Sequence, residues 1–579
     1  MMMPARSLSE RCGWLPAALR CGFGQGLLAL TLGWGCNGAV AQDDAHSSSR
    51  LRAPAPVSAP DAAAVPGFAQ LEAQGARFGE IRIRNLNIFD TSDPDEDKLL
   101  FRLANALHIR TREHVIAAAL LFRTGEPVTV SRIEETERLL RTTRFLYDVQ
   151  ISPVAVREGV VDVEVRTRDT WTLDLGLNAG RSGGANSGSV ALTEYNLLGT
   201  GITLGVGRYA DVDRSGNEFQ ISADRIRGTW TSFGYGTARN SDGERHALRL
   251  IRPFHALDAR WAAGVIASRD DRIDPVYRAG EVAAEYRRRE HRTEVFGGWS
   301  DGLVDGWVRR ISAGVMARED GYAFAPGRTP PPRLPDDVTM AGPFLRYELL
   351  QDRYEKTTNL NQIGRSEFLA LGFAARAQIA RSAGAFGATR DAWLYQAAVS
   401  RGFEPVHRHR LLASGSFSGQ LADGRLERQR LGAQLQYYAP HHQRRLFYAS
   451  LSVDALHRPA PLDALLLGGD NGLRGYPLRY MSGERRVLLT VEERFYTDRY
   501  WFQLFRVGAA AFFDLGRAWG GDPFTESDPG WLANVGFGLR IFNVRAAFSN
   551  VVHLDVAVPL RPPDGISRVQ FLVRTRASF

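Results

Sequence analysis

The chain has 579 residues, of which 23% are charged and 44% are hydrophobic, and it contains 58 glycines. This length is too great for one ordinary globular core, and a high share of glycine and aromatic residues is typical of many strands joined by turns. The formal net charge of +8 is spread along the sequence instead of forming a basic tract, which argues against nucleic acid as a partner.

Residues 1–41 have the pattern of a secretory signal peptide. Arginines precede an apolar run at residues 26–32, and residues 39–41 (Ala-Val-Ala) offer a cleavage site made of small residues. All three cysteines lie in this segment, so the exported chain is expected to have neither disulfides nor thiolate metal sites. A lipoprotein anchor at Cys36 is the alternative, and the bulky Trp34 just before it disfavours this reading.

Residues 42–77 are predicted to form a disordered linker. The stretch to about residue 66 consists mostly of Ala, Pro, Ser and Asp, and it has too few large apolar side chains to offset the entropy of ordering. After the signal peptide no run of apolar residues is long enough for a membrane-spanning helix. An exported chain of this kind can still cross a membrane if its strands close into a barrel.

Residues 78–168 are predicted to form one small α+β domain. Its expected elements are a strand, two helices and two strands, at residues 81–86, 111–122, 131–145, 147–154 and 160–166. Thr111 and Ser131 are the predicted N-caps, and Ser131 forms a capping box with Glu134. The acidic run 93–97 is predicted to be a solvated loop, because its spacing fits no calcium-binding loop.

The order of these elements is similar to that of a known type of domain. Together with the sequences LLFRTGE at residues 120–126 and ERLLR at residues 137–141, it resembles a POTRA domain. The resemblance implies a periplasmic domain that receives client proteins by adding a strand to an open sheet edge. Only one such unit is found in the chain.

Residues 169–579 are predicted to form an antiparallel β-barrel. From Trp171 onward the sequence consists of segments of about ten residues in which apolar and polar or small residues alternate, separated by turn-forming residues. The last five segments are the clearest, at residues 485–498, 507–519, 531–541, 551–560 and 568–579. In the third of them, Val535 and Phe537 share one face and Asn534 lies on the other.

Alternation alone does not separate a soluble sandwich from a membrane barrel. The great length of strand pattern, in an exported chain without cysteines, favours a transmembrane barrel with an apolar outer band and a polar lumen. A secreted all-β protein such as a propeller is the alternative. A direct count gives more than sixteen candidate segments, up to twenty, because long external hairpins resemble additional strands. At about 25 residues per strand and connection, the length predicts sixteen strands.

The glycine-rich segment GGDNGLRGY at residues 468–476 directly precedes the last five strands. Its glycines and its Asp-Asn pair indicate tight turns. Arg474 lies in this loop, and Asp514 lies on the second strand after it, on the face that the alternation assigns to the lumen.

This arrangement resembles the BamA/TamA-type outer-membrane assembly family, in which an Arg-Gly-(Phe/Tyr) motif on the sixth external loop folds back into the barrel and meets an aspartate. The residues that match the family's motifs are Arg474, Gly475 and Tyr476 in the loop, Glu492 in the next strand, Asp514 and Gly516 in the strand after it, and residues 196–201 (NLLGTG). Glu493 departs from the pattern, because the alternation aims it at lipid.

The resemblance implies that Arg474 and Asp514 pair inside the lumen as a latch. A guanidinium can hold a carboxylate with two parallel hydrogen bonds, which a lysine cannot do. It also implies a weak seam between the first and last strands, near residues 171–180 and 568–579. The candidate seam residues are Trp171, Leu173, Phe571 and Phe579.

The predicted function is that of an outer-membrane assembly factor. The periplasmic domain receives an unfolded client and the barrel helps it to enter the bilayer, with accessory periplasmic or lipoprotein subunits left open. A two-partner secretion pore, which moves an exported partner through the barrel, is the alternative. No catalysis, cofactor or metal is expected, since only 12 histidines occur and no Gly-x-Ser-x-Gly elbow is present.

Overall fold

The computed structural model describes residues 65–579 apart from residues 95, 364–365, 443, 503, 522–527, 544–550, 563 and 577–579. The predicted signal peptide, most of the predicted linker and the seam candidate Phe579 lie outside the described residues. A small N-terminal domain is followed by a closed β-barrel.

The N-terminal domain is a three-stranded sheet covered by helices. Its elements are α1 (Phe68–Ala73), β1 (Arg77–Leu86), α2 (Leu99–Leu107), α3 (Glu113–Ala117), α4 (Val130–Arg141), β2 (Leu146–Arg157) and β3 (Val160–Asp169). The strand order is β1-β3-β2, with β1 parallel and β2 antiparallel to β3. Phe78 and Phe122 stack at 4.4 Å in a core that also contains Leu140 and Val163. Within the described ranges, no helix is both long and apolar enough to cross a membrane.

Helix α1 lies in the stretch for which we predicted a disordered linker. It is ordered because Phe68 and Leu71, three residues apart, pack against the core of the domain, where Leu71 is fully buried. Helix α2 was not predicted at all. It occupies the connection after β1, directly behind the acidic run.

The first predicted helix is shorter than expected and lacks its predicted cap. Helix α3 covers only residues 113–117, and the hydroxyl of Thr111 donates to Asp169 at 2.9 Å instead of capping the helix. The predicted capping box is also wrong, because α4 begins after Thr129 and has no side-chain cap. Tertiary contacts to β3 and to the barrel outweigh these local capping preferences.

The barrel is antiparallel, as predicted, but it has twenty strands and not sixteen. Its strands are β4 (Leu173–Ser182), β5 (Ala185–Glu194), β6 (Ile202–Ala210), β7 (Ser215–Ala223), β8 (Ser232–Asn240), β9 (Gly243–Arg252), β10 (Trp261–Arg278), β11 (Glu281–Val304), β12 (Trp307–Phe324), β13 (Val338–Gln351), β16 (Ala374–Ser382), β17 (Ala392–Phe403), β18 (Arg410–Ala422), β19 (Arg425–His442), β20 (Arg445–His457), β23 (Arg485–Trp501), β24 (Phe505–Trp519), β25 (Leu532–Asn543), β26 (Val551–Pro559) and β27 (Gln570–Arg576). Two short hairpins lie in connections, β14 (Tyr354–Thr358) with β15 (Ser366–Ala370) and β21 (Leu465–Leu467) with β22 (Met481–Gly483).

The predicted number of strands was too low because the early strands are short. Strands β4 to β9 have 9 or 10 residues each. Residues 183–184 and 241–242 alone connect β4 to β5 and β8 to β9. A length of about 25 residues per strand therefore overestimates this half of the barrel.

The barrel has apolar side chains outside and polar side chains inside. On β25, Val535, Phe537 and Leu539 are 39%, 67% and 47% exposed on the outer face, whereas Asn534 and Arg540 are fully buried. This is the reverse of a soluble β-sandwich, whose apolar face forms the core. The outer face is therefore suited to an apolar solvent. We call the end of the barrel next to the N-terminal domain the domain end and the opposite end the far end.

Candidate functional site: the lumen latch and the seam

The connection between β20 and β23, residues 458–484, begins at the far end and folds back into the barrel. Leu467, Leu473 and Tyr476 are completely buried there, in one cluster with barrel side chains. Asn471 shapes the turn, because its side chain accepts from the amide of Gly468 at 2.6 Å and donates to the carbonyl oxygen of Leu466 at 2.7 Å. The local hydrogen bonds hold the tip of the loop in one conformation.

The structure places Arg474 directly against Asp514. The guanidinium donates two hydrogen bonds to the carboxylate, from Nε to Oδ2 and from Nη2 to Oδ1, each 2.8 Å long. Its Nη1 donates to Glu492 at 2.9 Å. Both members of the pair are buried, with side-chain exposures of 3% and 0%. A buried arginine with two carboxylates on its fork is a strong and directional contact.

Other groups complete the surroundings of Asp514. The hydroxyl of Thr490 donates to Oδ1 at 3.0 Å and the amide of Asn534 donates to Oδ2 at 2.8 Å. The ring of Phe512 stacks below the guanidinium of Arg474, with 3.4 Å between Cζ and the ring centroid. The sequence motifs did not single out Asn534 or Phe512, although the alternation had already placed Asn534 on the lumen face.

The pair belongs to a larger charged network in the lumen. Arg494 donates from Nε to Glu492 at 3.0 Å, and Asp555 lies 4.0 Å from Arg474 and 2.5 Å from Arg540. Cations and carboxylates alternate across β23, β24, β25 and β26, so a change in one of them alters the charge balance of its neighbours.

The small residues of the motif allow the loop to approach the wall closely. A Cβ on Gly475 would lie 2.6 Å from the Cβ of Asn534, and a Cβ on Gly516 would lie 2.8 Å from Leu467. The amide of Gly475 donates to the Asn534 side chain at 3.1 Å. Tyr476 follows and its hydroxyl donates to the carbonyl oxygen of Ala533 at 3.0 Å. These contacts leave no room for a larger residue at either glycine.

The same loop contacts both strands of the seam. The hydroxyl of Ser182, at the end of β4, donates to the carbonyl oxygen of Gly469 at 2.7 Å. Arg574 of β27 donates to the same oxygen at 3.3 Å. The amide of Leu478 donates to the carbonyl oxygen of Gly183 at 2.9 Å. The loop thus bridges the first and last strands from inside the barrel.

A second arginine, Arg479, lies in the part of the loop that follows the motif at residues 468–476, and it fixes this part to the far end of the barrel. Arg479 donates two hydrogen bonds to Asp213, at 2.8 and 2.7 Å, and the hydroxyl of Tyr277 donates to the same carboxylate at 2.6 Å. Burial alone raises the pKa of Asp213, but the adjacent Arg479 guanidinium outweighs it and holds the pKa below its ordinary value. Asp213 therefore stays charged and keeps the loop attached.

The seam between β4 and β27 is the weakest ladder of the barrel among the described residues. One pair of residues, Val573 and Arg181, aligns across it, whereas neighbouring pairs such as β4 and β5 align over ten residues. Leu173 and Phe571 are exposed on the outer face, at 42% and 61%. Trp171 precedes β4 and is half-buried against the N-terminal domain. Within the described residues, the ladder at the seam is therefore much shorter than the ladders beside it.

A hairpin fills the lumen from the domain end. Strands β14 and β15 lie in the connection between β13 and β16, and Leu360 and Ile363 at their tip are buried against lumen-facing tyrosines and leucines of the barrel wall. Arg494 of the charged network donates to the carbonyl oxygen of Leu360 at 2.9 Å. The Glu367 carboxylate accepts the amides of residues 360–362 and closes the tip. We call residues 352–373 the lumen hairpin.

The lumen hairpin also contacts the N-terminal domain. The guanidinium of Arg138 on α4 lies 4.2 Å from the ring centroid of Tyr354, and Glu137 lies 3.7 Å from Lys356. The hairpin is therefore held between the domain on one side and the charged network on the other. No sequence signal separated it from the barrel strands, because its residues alternate in the same way.

The N-terminal domain docks on turns at the domain end. Glu135 of α4 accepts the amide of Leu257 at 2.8 Å, and Arg132 pairs with Asp258 at 2.9 Å. Burial raises the pKa of Glu135 to about 7. The segment at residues 196–201 is part of the same junction, because Asn196 donates to the hydroxyl of Thr111 at 2.7 Å.

Glu493, which the alternation aims at lipid, has a partner. Its carboxylate lies 3.1 Å from Nε2 of His441 near the domain end. The pair moderates the cost of a charge on the outer face. In the described part of the chain, no three His, Cys, Asp or Glu side chains are grouped to hold a metal ion.

No protein-family model matches this chain, and no curated protein matches it. Among solved structures, the chain is similar to CdiB from Escherichia coli, with 14% identity, coverage of 87% of this chain and 77% of that chain, and a TM-score of 0.45. It is similar to BamA from Haemophilus ducreyi lacking POTRA domains 1-3, with 13% identity, coverage of 86% and 84%, and a TM-score of 0.37. It is also similar to the FrpB iron transporter from Neisseria meningitidis, with 9% identity, coverage of 74% and 86%, and a TM-score of 0.36. At identities and TM-scores this low, these likenesses assign the chain to no family.

Proposed function

We propose that this protein is an assembly factor of the bacterial outer membrane, with the barrel in the bilayer and the N-terminal domain in the periplasm. The apolar outer face of the barrel supports the membrane location. Phe537 and its outward neighbours on β25 would be costly in water, whereas a lipid bilayer solvates them well. In this orientation the domain end is periplasmic and the far end is external.

The short ladder at the seam between β4 and β27 is the observation on which the proposal rests. Among the described residues, β4 and β27 align at one pair, whereas β4 and β5 align at ten. An unpaired strand edge inside a bilayer is a template to which a client strand can add, because backbone groups without partners are costly in lipid. The connection at residues 458–484 bridges β4 and β27 near the far end. The rest of the seam can therefore loosen while the two strands stay attached to each other.

The N-terminal domain is the proposed client receptor, in a role like that of a POTRA domain. Its sheet order leaves β2 at an edge, and Val154 on this strand is exposed. An extended client segment can add to such an edge through main-chain hydrogen bonds, which require no particular sequence. The domain docks next to the turn that precedes β6, close in sequence to the seam strand β4.

A secretion pore is the second candidate, and the lumen hairpin favours it. The hairpin occupies the lumen from the domain end, where its apolar tip packs against the wall and polar groups contact Arg494 and the N-terminal domain. If a partner bound to that domain and withdrew the hairpin, a path along the lumen would open. The two candidates differ in whether the client leaves through the seam or through the lumen.

Depletion of the protein, followed by comparison of the outer-membrane proteome, tests the proposal. Broad loss of barrel proteins is expected for an assembly factor. Loss of one secreted product, with other barrels unchanged, would favour the secretion pore instead. An unchanged proteome and an unchanged set of secreted proteins would refute both.

A further inference from the structure

Helix α2 turns its leucines away from the domain that carries it. Leu99, Leu100, Leu103 and Leu107 are between 52% and 78% exposed, and at helical spacing they form one continuous stripe. A helix on the surface of a soluble domain normally buries such a stripe. Here the stripe has no cover in the described part of the chain.

The orientation of α2 is fixed by its opposite side. Phe101 is buried and stacks on Phe89 at 4.1 Å. The side chain of Asn105 exchanges hydrogen bonds with the backbone of Phe89, at 2.9 and 3.1 Å. These contacts hold the helix against the domain. The outward direction of the leucines is thus a feature of the folded domain and not of a frayed segment.

The helix lies at the domain end of the barrel, beside the seam. The cluster formed by Phe89 and Phe101 also packs against Trp171, just before β4, and against Leu504, in the turn between β23 and β24. Two aromatic residues next to Leu504 are exposed, Trp501 at the end of β23, at 46%, and Phe502 in the turn, at 80%. The buried side of α2 therefore packs against the domain end of the barrel, and the leucine stripe faces outward from this junction.

We propose that α2 lies in the membrane interface and that lipid of the leaflet on the domain side covers its leucine stripe. This inference rests on the proposed membrane location of the barrel. The position of α2 at the domain end, where Trp501 and Phe502 of the barrel are exposed, selects lipid as the occupant, because exposed aromatic residues at the end of a barrel are typical of a membrane interface. Lys98 at the start of the helix and Arg102 on its flank can reach the headgroups while the leucines enter the acyl boundary.

The consequence is local. A helix inserted in the leaflet on the domain side displaces lipid next to the start of β4, at the end of the seam opposite to the aligned pair Arg181 and Val573. The N-terminal domain is thereby held at the seam by the bilayer as well as by its contacts with the barrel turns.

Lipid quenching of a single fluorophore tests the inference. Residues 42–579 contain no cysteine, so Leu103→Cys or Leu107→Cys provides one labelling site in the full chain. Each variant is labelled with a polarity-sensitive dye and placed in vesicles of phosphatidylethanolamine and phosphatidylglycerol that carry acyl-chain spin labels. We expect a blue-shifted emission and a roughly twofold loss of intensity at both sites.

Two matched sites make the result decisive. Arg157→Cys is exposed on the same domain at the end of β2, beside Val160 and at the opposite end of β3 from Asp169, after which the chain enters the barrel, and it should not be quenched. Phe537→Cys on the outer face of β25 should be quenched strongly.

Quenching of Phe537→Cys without quenching of Leu103→Cys would refute the inference and would leave the proposed membrane location of the barrel intact. Absence of quenching at both would refute the membrane location itself. A dye at Leu103→Cys that is blue-shifted but not quenched would assign the stripe to a second copy or to a protein partner, and this also contradicts the inference.

Discussion

Replacement of Arg474 by alanine should destabilise the barrel strongly. The substitution leaves the Asp514 carboxylate, which is fully buried, with only Thr490 and Asn534 as neutral donors. Removing one partner of a buried ion pair costs about 3–5 kcal/mol, because the other charge stays uncompensated. Arg474→Lys keeps the charge but loses the second hydrogen bond to Asp514, so we expect an intermediate cost of about 1–3 kcal/mol.

The measurement is urea unfolding of the purified protein in detergent micelles, followed by the gel shift between the folded and heat-unfolded barrel. Arg517→Ala is the matched control, since Arg517 lies on β24, the strand of Asp514, but pairs with Asp528 at the surface, where both side chains are 31% exposed. Loss of that pair should cost at most about 1 kcal/mol. If Arg474→Ala cost no more than Arg517→Ala, the latch would not stabilise the barrel and the reasoning would be refuted.

Two further predictions concern the domain end. The raised pKa of Glu135, about 7 against an ordinary 4.5, means that docking of the N-terminal domain is strongest below about pH 4.5 and weakens as the pH rises to 7, by at most about 3 kcal/mol. Hydrogen exchange of residues 253–260 should report this loss, and Glu135→Gln should abolish its pH dependence; a wild-type profile in that variant would contradict the assignment. Deletion of residues 354–370 should raise the conductance of the barrel in planar bilayers, whereas deletion of residues 327–335 from the connection between β12 and β13 should not. Equal conductance in both deletions would mean that the hairpin does not block the lumen.

Much of the latch could be predicted from the sequence because its two main residues are recognised from their immediate neighbours in the chain. Arg474 lies in a short motif, and the period of two along a strand was sufficient to place Asp514 on the inner face. The partners Asn534 and Phe512 have no such motif. The alternation places both on the inner face, but only the folded loop brings Arg474 against Phe512, and only the pairing of β24 with β25 brings Asn534 to Asp514.

The number of strands and the lumen hairpin could not be predicted for a related reason. Residues 354–370 alternate in the same way as a barrel strand, and only the closed ladder shows that they pair with each other inside it. Helix α2 was missed because it follows an acidic loop and has a stripe with no predicted partner. A stripe of this kind is recognised only after the fold shows on which side it lies.

The most direct test of the account is to lock the seam. Arg181 and Val573 align across β4 and β27 in the described part of the seam, and directly aligned antiparallel residues are close enough for a disulfide between cysteines. The control places cysteines at Leu192 and Val206, which face each other on the complete ladder between β5 and β6. In vesicles, insertion of an unfolded outer-membrane barrel client should be lost when the seam pair is oxidised, return on reduction, and be unaffected in the control. Equal insertion by the oxidised and reduced seam variants would contradict the central claim that clients enter through this seam.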